Sequence, residues 1–402
     1  MSARRTITVV GGGVIGLTTA YALIQAGHTV TLVEREDQVG SQASFGNGGQ
    51  LSYRYVRPLA DAGVPLDAVS WLFQHHSPIS LKLRLDWHQW RWLMAFLGAC
   101  NAQTNQKNTA KILEIALRSQ SVLQHWRQEG LGDFLWRKPG KLVVYRDARK
   151  FAKAARAVIN PQQEQVLTPA DCARVEPAFG SLTPVLAGGI FSPEDEVADC
   201  NLFCQALLAA LEASPDFCLV HGAAQLEETT TERCRVRVNG IVQDTDLVVL
   251  AAGLASRSLL QPLGLDLPLY GLKGYSLTMD APAATLPSVS VTDYDNRVVY
   301  ARLGDRLRIA AMVDIGALDA RINPERIEAL RRLAVETLPA LSASSPPTPW
   351  AGMRPATPTG VPIVGRTRWR NMLLNVGHGA LGFTLSGGSA LTIRDIVEGM
   401  AP

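Results

Sequence analysis

Long apolar runs are missing from this 402-residue chain: no window of about 18 uninterrupted apolar residues occurs, so a membrane-spanning helix is not expected. A secretory leader is also not expected, because the basic stretch Met1 to Arg5 runs into a strand and a glycine turn rather than a cleavable apolar segment. Charge of one sign is scarce. The formal net charge is +3 and the basic residues are scattered, which gives nucleic acid no electrostatic footprint. The six cysteines (Cys100, Cys172, Cys200, Cys204, Cys218, Cys234) form neither a CxxC pair nor an even framework, pointing to reduced thiols in a cytoplasmic-facing protein. Histidines and cysteines do not cluster at metal-ligand spacing, and Cys200 with Cys204 reads as one packed helical face. Internal repeats are absent, and "SASSPPTP" (Ser342 to Pro349) is the one low-complexity tract. What remains is 47% hydrophobic and 19% charged: a folded protein, long for one domain and comfortable for two.

The most informative stretch is "TITVVGGGVIGLTTAYALIQAGHTVTLVERE". Ile7 to Val10 is a short β-branched run suited to a buried parallel strand. Gly11, Gly13 and Gly16, with Val14 and Ile15 between them, then fit G-x-G-x-x-G where strand turns into helix. Gly11 permits the tight turn, Gly13 lets backbone approach a pyrophosphate, and Gly16 lets helix sit close to strand. The second strand ends in Glu34, twenty-three residues after Gly11 and followed by Arg35. A carboxylate there accepts both ribose hydroxyls of an adenosine and repels a 2′-phosphate. Dinucleotide binding follows, although this pattern alone does not separate NAD from FAD.

Later segments favour FAD. "DLVVLAAGLASRSLL" (Asp246 to Leu260) reads as a second buried strand whose turn, at Ala252 and Gly253, returns to the cofactor. Near the C-terminus, "NMLLNVGHGALGFTLSGGSALTIRDIVEG" (Asn371 to Gly399) reads as strand, glycine loop and helix. Gly377, Gly379 and Gly382 surround His378, so backbone amides and a helix start at Leu381, Phe383 and Thr384 face a negative group. A reduced flavin needs such stabilisation around N1 and the C2 oxygen.

Together the Gly11–Gly13–Gly16 turn with Glu34, the "SFGNGGQLS" run, "GMRPATPTGVPIVG" and "NVGHGALGFTLSGGSA" resemble the D-amino-acid oxidase (DAO) superfamily of FAD enzymes. The likeness extends over nearly the whole chain and is strongest to bacterial D-amino-acid dehydrogenases of the small-subunit type, through "SYRYVRPLADAGVPL" and "VVYARLGDRLRIAAM". It implies an α/β fold: a Rossmann-type FAD-binding domain with a parallel sheet, and an inserted α+β substrate domain on an antiparallel sheet. The expected division is 1–80, 146–180, 197–265 and 350–402 for the FAD domain, and 81–145, 181–196 and 266–349 for the substrate domain. The implied reaction oxidises a D-amino acid at Cα by hydride transfer to flavin N5, giving a 2-oxo acid and ammonia, with electrons passed to quinone or another acceptor. A D-hydroxyproline or cyclic imino-acid dehydrogenase, a glycine- or sarcosine-type oxidase, an NAD-linked dehydrogenase and a flavin-binding accessory subunit are the alternatives.

The resemblance also assigns residues. Arg354 in "GMRP" grips the substrate carboxylate, since a planar guanidinium makes two parallel hydrogen bonds to it. His378 meets the flavin edge or the substrate amine, and Tyr53, Tyr55 and Tyr275 offer hydroxyls to substrate or lid. Ser41 and Ser44 meet the pyrophosphate, while Asn47, Gly48, Gly49, Gln50 and Leu51 form a wall against the isoalloxazine, where Gly48→Val is expected to expel flavin. Gln225 stands beside the adenine where an aliphatic residue is usual, in a contact expected to run through backbone and so to survive the change of side chain. No cysteine occurs in "GMRPATP", so FAD is expected to be noncovalent.

"WLFQHHSPISLKLRLDWHQWRWLMAFLGAC" (Trp71 to Cys100) gathers four of the eight tryptophans with Lys82, Arg84 and Arg91. That composition suits either peripheral contact with the cytoplasmic face of an inner membrane or helices packed on the substrate domain.

Overall fold

The computed structural model describes residues 3–64, 78–230, 233–343 and 345–400. Two large sheets organise the chain. The first has six strands in the spatial order Ile363–Arg366, Met372–Val376, Leu247–Leu250, Thr6–Val10, Thr29–Glu34 and Phe217–His221. Every neighbouring pair is parallel except the first, which is antiparallel. Its central strands Thr6–Val10 and Leu247–Leu250 are buried on both faces, while the edge strands are partly exposed. Ile7 and Val9 point into one core with the helices Val14–Gln25, Ala102–Gln128, Cys200–Glu212 and Gly382–Glu398. Val10 and Val33 point the other way, where Leu226, Val236 and Val238 of a three-stranded sheet cover them.

The second sheet has nine strands. Its spatial order is Thr348–Ala356, Tyr270–Asp280, Arg306–Ile315, Val298–Leu303, Ser290–Asp293, Lys141–Tyr145, Gly188–Ser192 and Gln165–Leu167, with Ile79–Leu81 added beside Arg306–Ile315. Most pairs are antiparallel; Ser290–Asp293 beside Lys141–Tyr145 and Ile79–Leu81 beside Arg306–Ile315 are parallel. Its lower face buries Leu277, Ile309 and Leu307 against the helix Pro324–Thr337, which Asn323 caps by accepting from the Glu325 N–H. Its upper face looks towards the first sheet.

The chain is shared between these layers differently from the sequence-based division. Residues 350–356, grouped there with the cofactor domain, form the edge strand of the nine-stranded sheet. Residues 146–180 also pack against that sheet, through Phe151 and Leu167. The helix Ala102–Gln128, grouped with the substrate domain, buries Ile112, Ala116 and Trp126 in the core beneath the six-stranded sheet. A long helix finds its partner by its apolar stripe, and neither position in the chain nor composition reveals which layer that partner belongs to.

Candidate active site

A cavity of about 1290 Å³ lies between the two sheets, at the carboxyl ends of the parallel strands, where Val10 and Val33 form part of its wall. It exceeds the roughly 300–1,000 Å³ of ordinary small-molecule pockets, and so has room for a dinucleotide together with a second ligand.

At one end the first strand enters the helix Val14–Gln25 through Gly11, Gly12 and Gly13. The turn is spatially obligatory for glycine: a Cβ on Gly11 would stand 2.6 Å from the Ala251 carbonyl oxygen, and one on Gly16 1.7 Å from that of Gly11. Glu34 accepts from the N–H of Gly12 at 2.6 Å and from that of Glu36 at 2.9 Å. The Ser44 hydroxyl accepts from the Val14 N–H at 3.1 Å, at the free amino end of the helix. Gly11, Gly13, Val14, Ile15, Glu34, Arg35, Ser41, Ser44, Ala252 and Gly253 all line the cavity. Gly16 lies behind them. Gln225 does not reach the wall: its side chain is exposed on a strand of the three-stranded sheet, and Gly222, Ala223 and Ala224 line the cavity instead.

The segment from Phe45 to Leu51 crosses the upper face of the nine-stranded sheet. Arg308, buried in that sheet, donates to the Asn47 carbonyl at 2.6 Å and faces Asp199 at 3.8 Å. The Asn47 side chain accepts from the Gly49 N–H at 2.9 Å. Asn47, Gly48 and Gln50 line the cavity; Gly49 and Leu51 turn away, Leu51 pairing with Glu196. The tightest position is Gly46, where a Cβ would fall 2.1 Å from the indole of Trp350; at Gly48 the nearest atom, the Ala310 methyl, is 3.3 Å away. The place where a side chain is least tolerated is therefore Gly46, two residues before the glycine that the sequence singled out.

Gly377, His378, Gly379, Leu381, Gly382, Phe383 and Thr384 complete the cofactor side. Burial holds His378 neutral, with its pKa pushed down to about 3, and Nε2 of the ring has no hydrogen-bond partner among the described residues. Thr384 donates to the Gln50 carbonyl at 3.4 Å, joining this helix start to the loop over the sheet.

Arg354 rises from the edge strand into the cavity. Its guanidinium lies over Gly274, where a Cβ would come within 2.1 Å of Nη2. It donates to the Met312 carbonyl at 3.0 Å. Met312 has a left-handed backbone, φ 67°, at the irregularity between Lys273 and Tyr275, which turns its carbonyl to the arginine. Burial lowers the Arg354 pKa to about 10, with Asp314 acting weakly in the other direction. No carboxylate pairs with Arg354 among the described residues.

Two of the three tyrosines named from sequence are engaged elsewhere. Tyr53 is wholly buried and donates to Glu196 at 2.9 Å. Tyr275 alternates to the lower face of its strand and donates to Asp314 at 2.7 Å. Neither lines the cavity, whereas Tyr55 does, together with Tyr145, Tyr294, Lys141, Arg57 and Arg297. The Tyr145 and Tyr294 rings lie 4.8 Å apart. The Lys141 ammonium donates to Ser52 at 2.9 Å and stands 4.2 Å from the Tyr55 ring centroid. Burial lowers the Lys141 pKa and raises that of Asp195 behind it. Alternation in "KLVVY", which sends Lys141 and Tyr145 to one face, was the available signal; their approach to residues 55 and 294 depends on strand pairing.

A family model described as FAD dependent oxidoreductase, DAO, matches residues 6–396. D-amino acid dehydrogenase 2 of Pseudomonas aeruginosa is 48% identical over 400 residues, covering 98% of this chain and 95% of that protein. D-amino acid dehydrogenase 2 of Ralstonia nicotianae is 42% identical, covering 98% of this chain and 97% of the relative. Among solved structures, glycine oxidase from Geobacillus kaustophilus superposes with a TM-score of 0.77 at 21% identity, covering 99% of this chain and 96% of that one, a likeness of fold.

Proposed function

The chain belongs to the DAO family of FAD dependent oxidoreductases, and on that footing we propose that it dehydrogenates D-amino acids to 2-oxo acids and ammonia. The observation that carries this reading is Arg354: a part-buried guanidinium, facing the cavity, whose hydrogen bond goes to a carbonyl rather than a carboxylate. A substrate carboxylate supplies the missing anion through two charge-assisted bonds and is fixed in orientation as well as place.

The residues present fit FAD. Glu34 would hold the ribose, a phosphate could replace the serine that satisfies the Val14 N–H, and His378 Nε2, unpartnered among the described residues, would meet a polar edge of the cofactor. Bound there, FAD would supply the acceptor for the hydride lost from Cα, and hydrolysis of the imine would give the 2-oxo acid and ammonia. Arg354 holds the carboxylate, and His378, neutral at physiological pH, takes part as a hydrogen-bonding group and not as a cation. Gln50 is locked by donating to Ser290 at 2.8 Å, so the wall opposite the helix start is rigid. None of the six cysteines lines the cavity, which supports noncovalent FAD.

No helix among the described residues is long and apolar enough to cross a membrane. The helix Trp87–Ala99 leaves Trp87, Trp90, Met94 and Leu97 exposed, continuing from exposed Leu83 and Leu85. That face supports peripheral contact with the cytoplasmic side of a membrane, where electrons pass to a quinone; another acceptor is the alternative. Trp71 lies outside the described residues.

Anaerobic mixing of the holoenzyme with matched D- and L-amino acids tests the proposal. The yellow flavin band should bleach with D-substrates. Bleaching by L-enantiomers alone, or by neither, overturns it.

A further inference from the structure

Tyr55, Tyr145, Tyr294, Arg57 and Arg297 form a second polar cluster on the same cavity. The Tyr55 phenol faces Tyr145, Tyr294, Arg57 and Arg297 electrostatically, and Tyr145 faces Tyr294 and Arg57. No hydrogen bond engages the three hydroxyls, and no carboxylate pairs with either arginine, among the described residues. Neighbouring acids are otherwise occupied: Asp295 pairs with Lys150 at 2.7 Å, and Asp61 with Lys153 at 3.5 Å. Glu164 faces Arg57 without an ion pair, and burial raises its pKa. Such a grouping of unused donors and positive charge within a cavity is complementary to an anion.

Strand register locates this cluster relative to Arg354. The ladder between these strands ends with Val299 opposite Ala310; Arg297, in the turn before Val298, and Met312, whose carbonyl holds the Arg354 guanidinium, each lie two residues beyond that pair. Adjacent strands are about 4.8 Å apart. Asp293 pairs with Val298 and with Val144, which puts Tyr294 and Tyr145 next in the same row. Tyr145 and Val299, on strands, and Tyr294 and Arg297, in the turn, all line the cavity. Arg297 also closes the turn Tyr294–Arg297 with a left-handed φ of 54°, a conformation that glycine or asparagine adopts more readily. An arginine is thus kept where the backbone alone favours a smaller residue.

Resting on the D-amino-acid reading, we propose that this cluster is the side-chain subsite and that it selects acidic D-amino acids. The α-carboxylate lies on Arg354 and the side-chain carboxylate reaches Arg297, Arg57 and the tyrosine hydroxyls. A D-glutamate-sized substrate then bridges two cationic groups, and its neutral amide isostere leaves one of them unpaired.

The test compares D-glutamate with D-glutamine, D-alanine and D-methionine on the holoenzyme, and separately titrates the non-reacting dicarboxylate glutarate against butyrate by calorimetry. D-glutamate should exceed D-glutamine at least tenfold in kcat/KM, and glutarate should bind at least tenfold more tightly than butyrate. Arg297→Gly, which relieves the left-handed strain and so protects folding, should erase both preferences while leaving D-alanine turnover within about twofold. Arg297→Lys should restore part of them. Equal use of D-glutamate and D-glutamine, or an Arg297→Gly variant that loses D-alanine and D-glutamate activity alike, overturns the subsite. Failure of every D-amino acid to bleach the flavin overturns the D-amino-acid reading instead, and a glutarate preference abolished by Arg297→Gly would still stand for the subsite.

Discussion

Arg354 and His378 illustrate two opposite uses of burial. Desolvation leaves Arg354 charged, with a pKa near 10, and its cost is offset when a carboxylate arrives. Two charge-assisted bonds at about 1.5–3 kcal/mol each predict that Arg354→Ala lowers kcat/KM by roughly 10²–10⁴-fold. FAD affinity, read by fluorescence, should move much less; an equal loss of both would refute the clamp. His378 is kept neutral by the same physics. Its folded pKa, about 3, lies below the unfolded value near 6.5, so the unfolded chain binds the extra proton between those limits. This contribution to stability is complete above pH 6.5 and is lost as pH falls towards 3, by up to about 1.4 kcal/mol per pH unit. Chemical denaturation of wild type and His378→Asn at pH 7.5 and 5.5 should show the gap between them shrinking at the lower pH. Both residues were legible in sequence because motifs surround them. Tyr145, Tyr294 and Arg297 were not: alternation puts Tyr145 on the face of Lys141, but only strand pairing brings residues 55, 145 and 294 together.

Elements, too, differ in how far their role can be read ahead of the fold. The first strand, glycine turn and helix were fully legible because their interactions are local. The loop from Phe45 to Leu51, which lines the cavity, was not legible in its tightest contact, because the Trp350 indole that fills the space at Gly46 comes from an edge strand three hundred residues later. Gly46→Ala should therefore displace that indole and cost about 1–3 kcal/mol by overpacking, with weaker FAD retention on gel filtration. Gly48→Ala meets only the Ala310 methyl and should be milder; the reverse ranking would remove the wall argument. The exposed helix Trp87–Ala99 makes a separate prediction. Each apolar side chain buried in a bilayer surface contributes about 1.5–3 kcal/mol, so Trp87→Ser with Met94→Ser should reduce flotation with anionic phospholipid vesicles at least tenfold. Turnover with a soluble dye should be unchanged, and undiminished flotation would rule out this helix as the contact.

Across the whole molecule, the cavity is where the two sheets meet. Arg308 ties the layers together: it rises from the nine-stranded sheet, donates to the Phe45 and Asn47 carbonyls, and faces Asp199, which caps the helix Cys200–Glu212 beneath the other sheet. Glu34, Ser44 and His378 on one side and Gly48 and Gln50 on the other line the remaining space. A noncovalent cofactor that touches both walls binds the folded chain and not the unfolded one, so it stabilises by mass action. At a free FAD concentration one hundred times its Kd the gain is about 2.7 kcal/mol. For a chain of 402 residues, with an unfolding entropy of roughly 2.1 cal/mol/K per residue, that gain corresponds to a rise in Tm of about 3 °C. Deflavinated protein melted across an FAD series should show this rise, and acid precipitation of the holoenzyme should release all of the yellow colour to the supernatant. Colour retained in the pellet would mean a covalent link, and a Tm indifferent to FAD would mean that the cofactor does not join the two layers. Arg308→Met should lower the starting Tm but increase the fraction of stability that depends on FAD, because the cofactor is then the main group left holding the loop between the sheets.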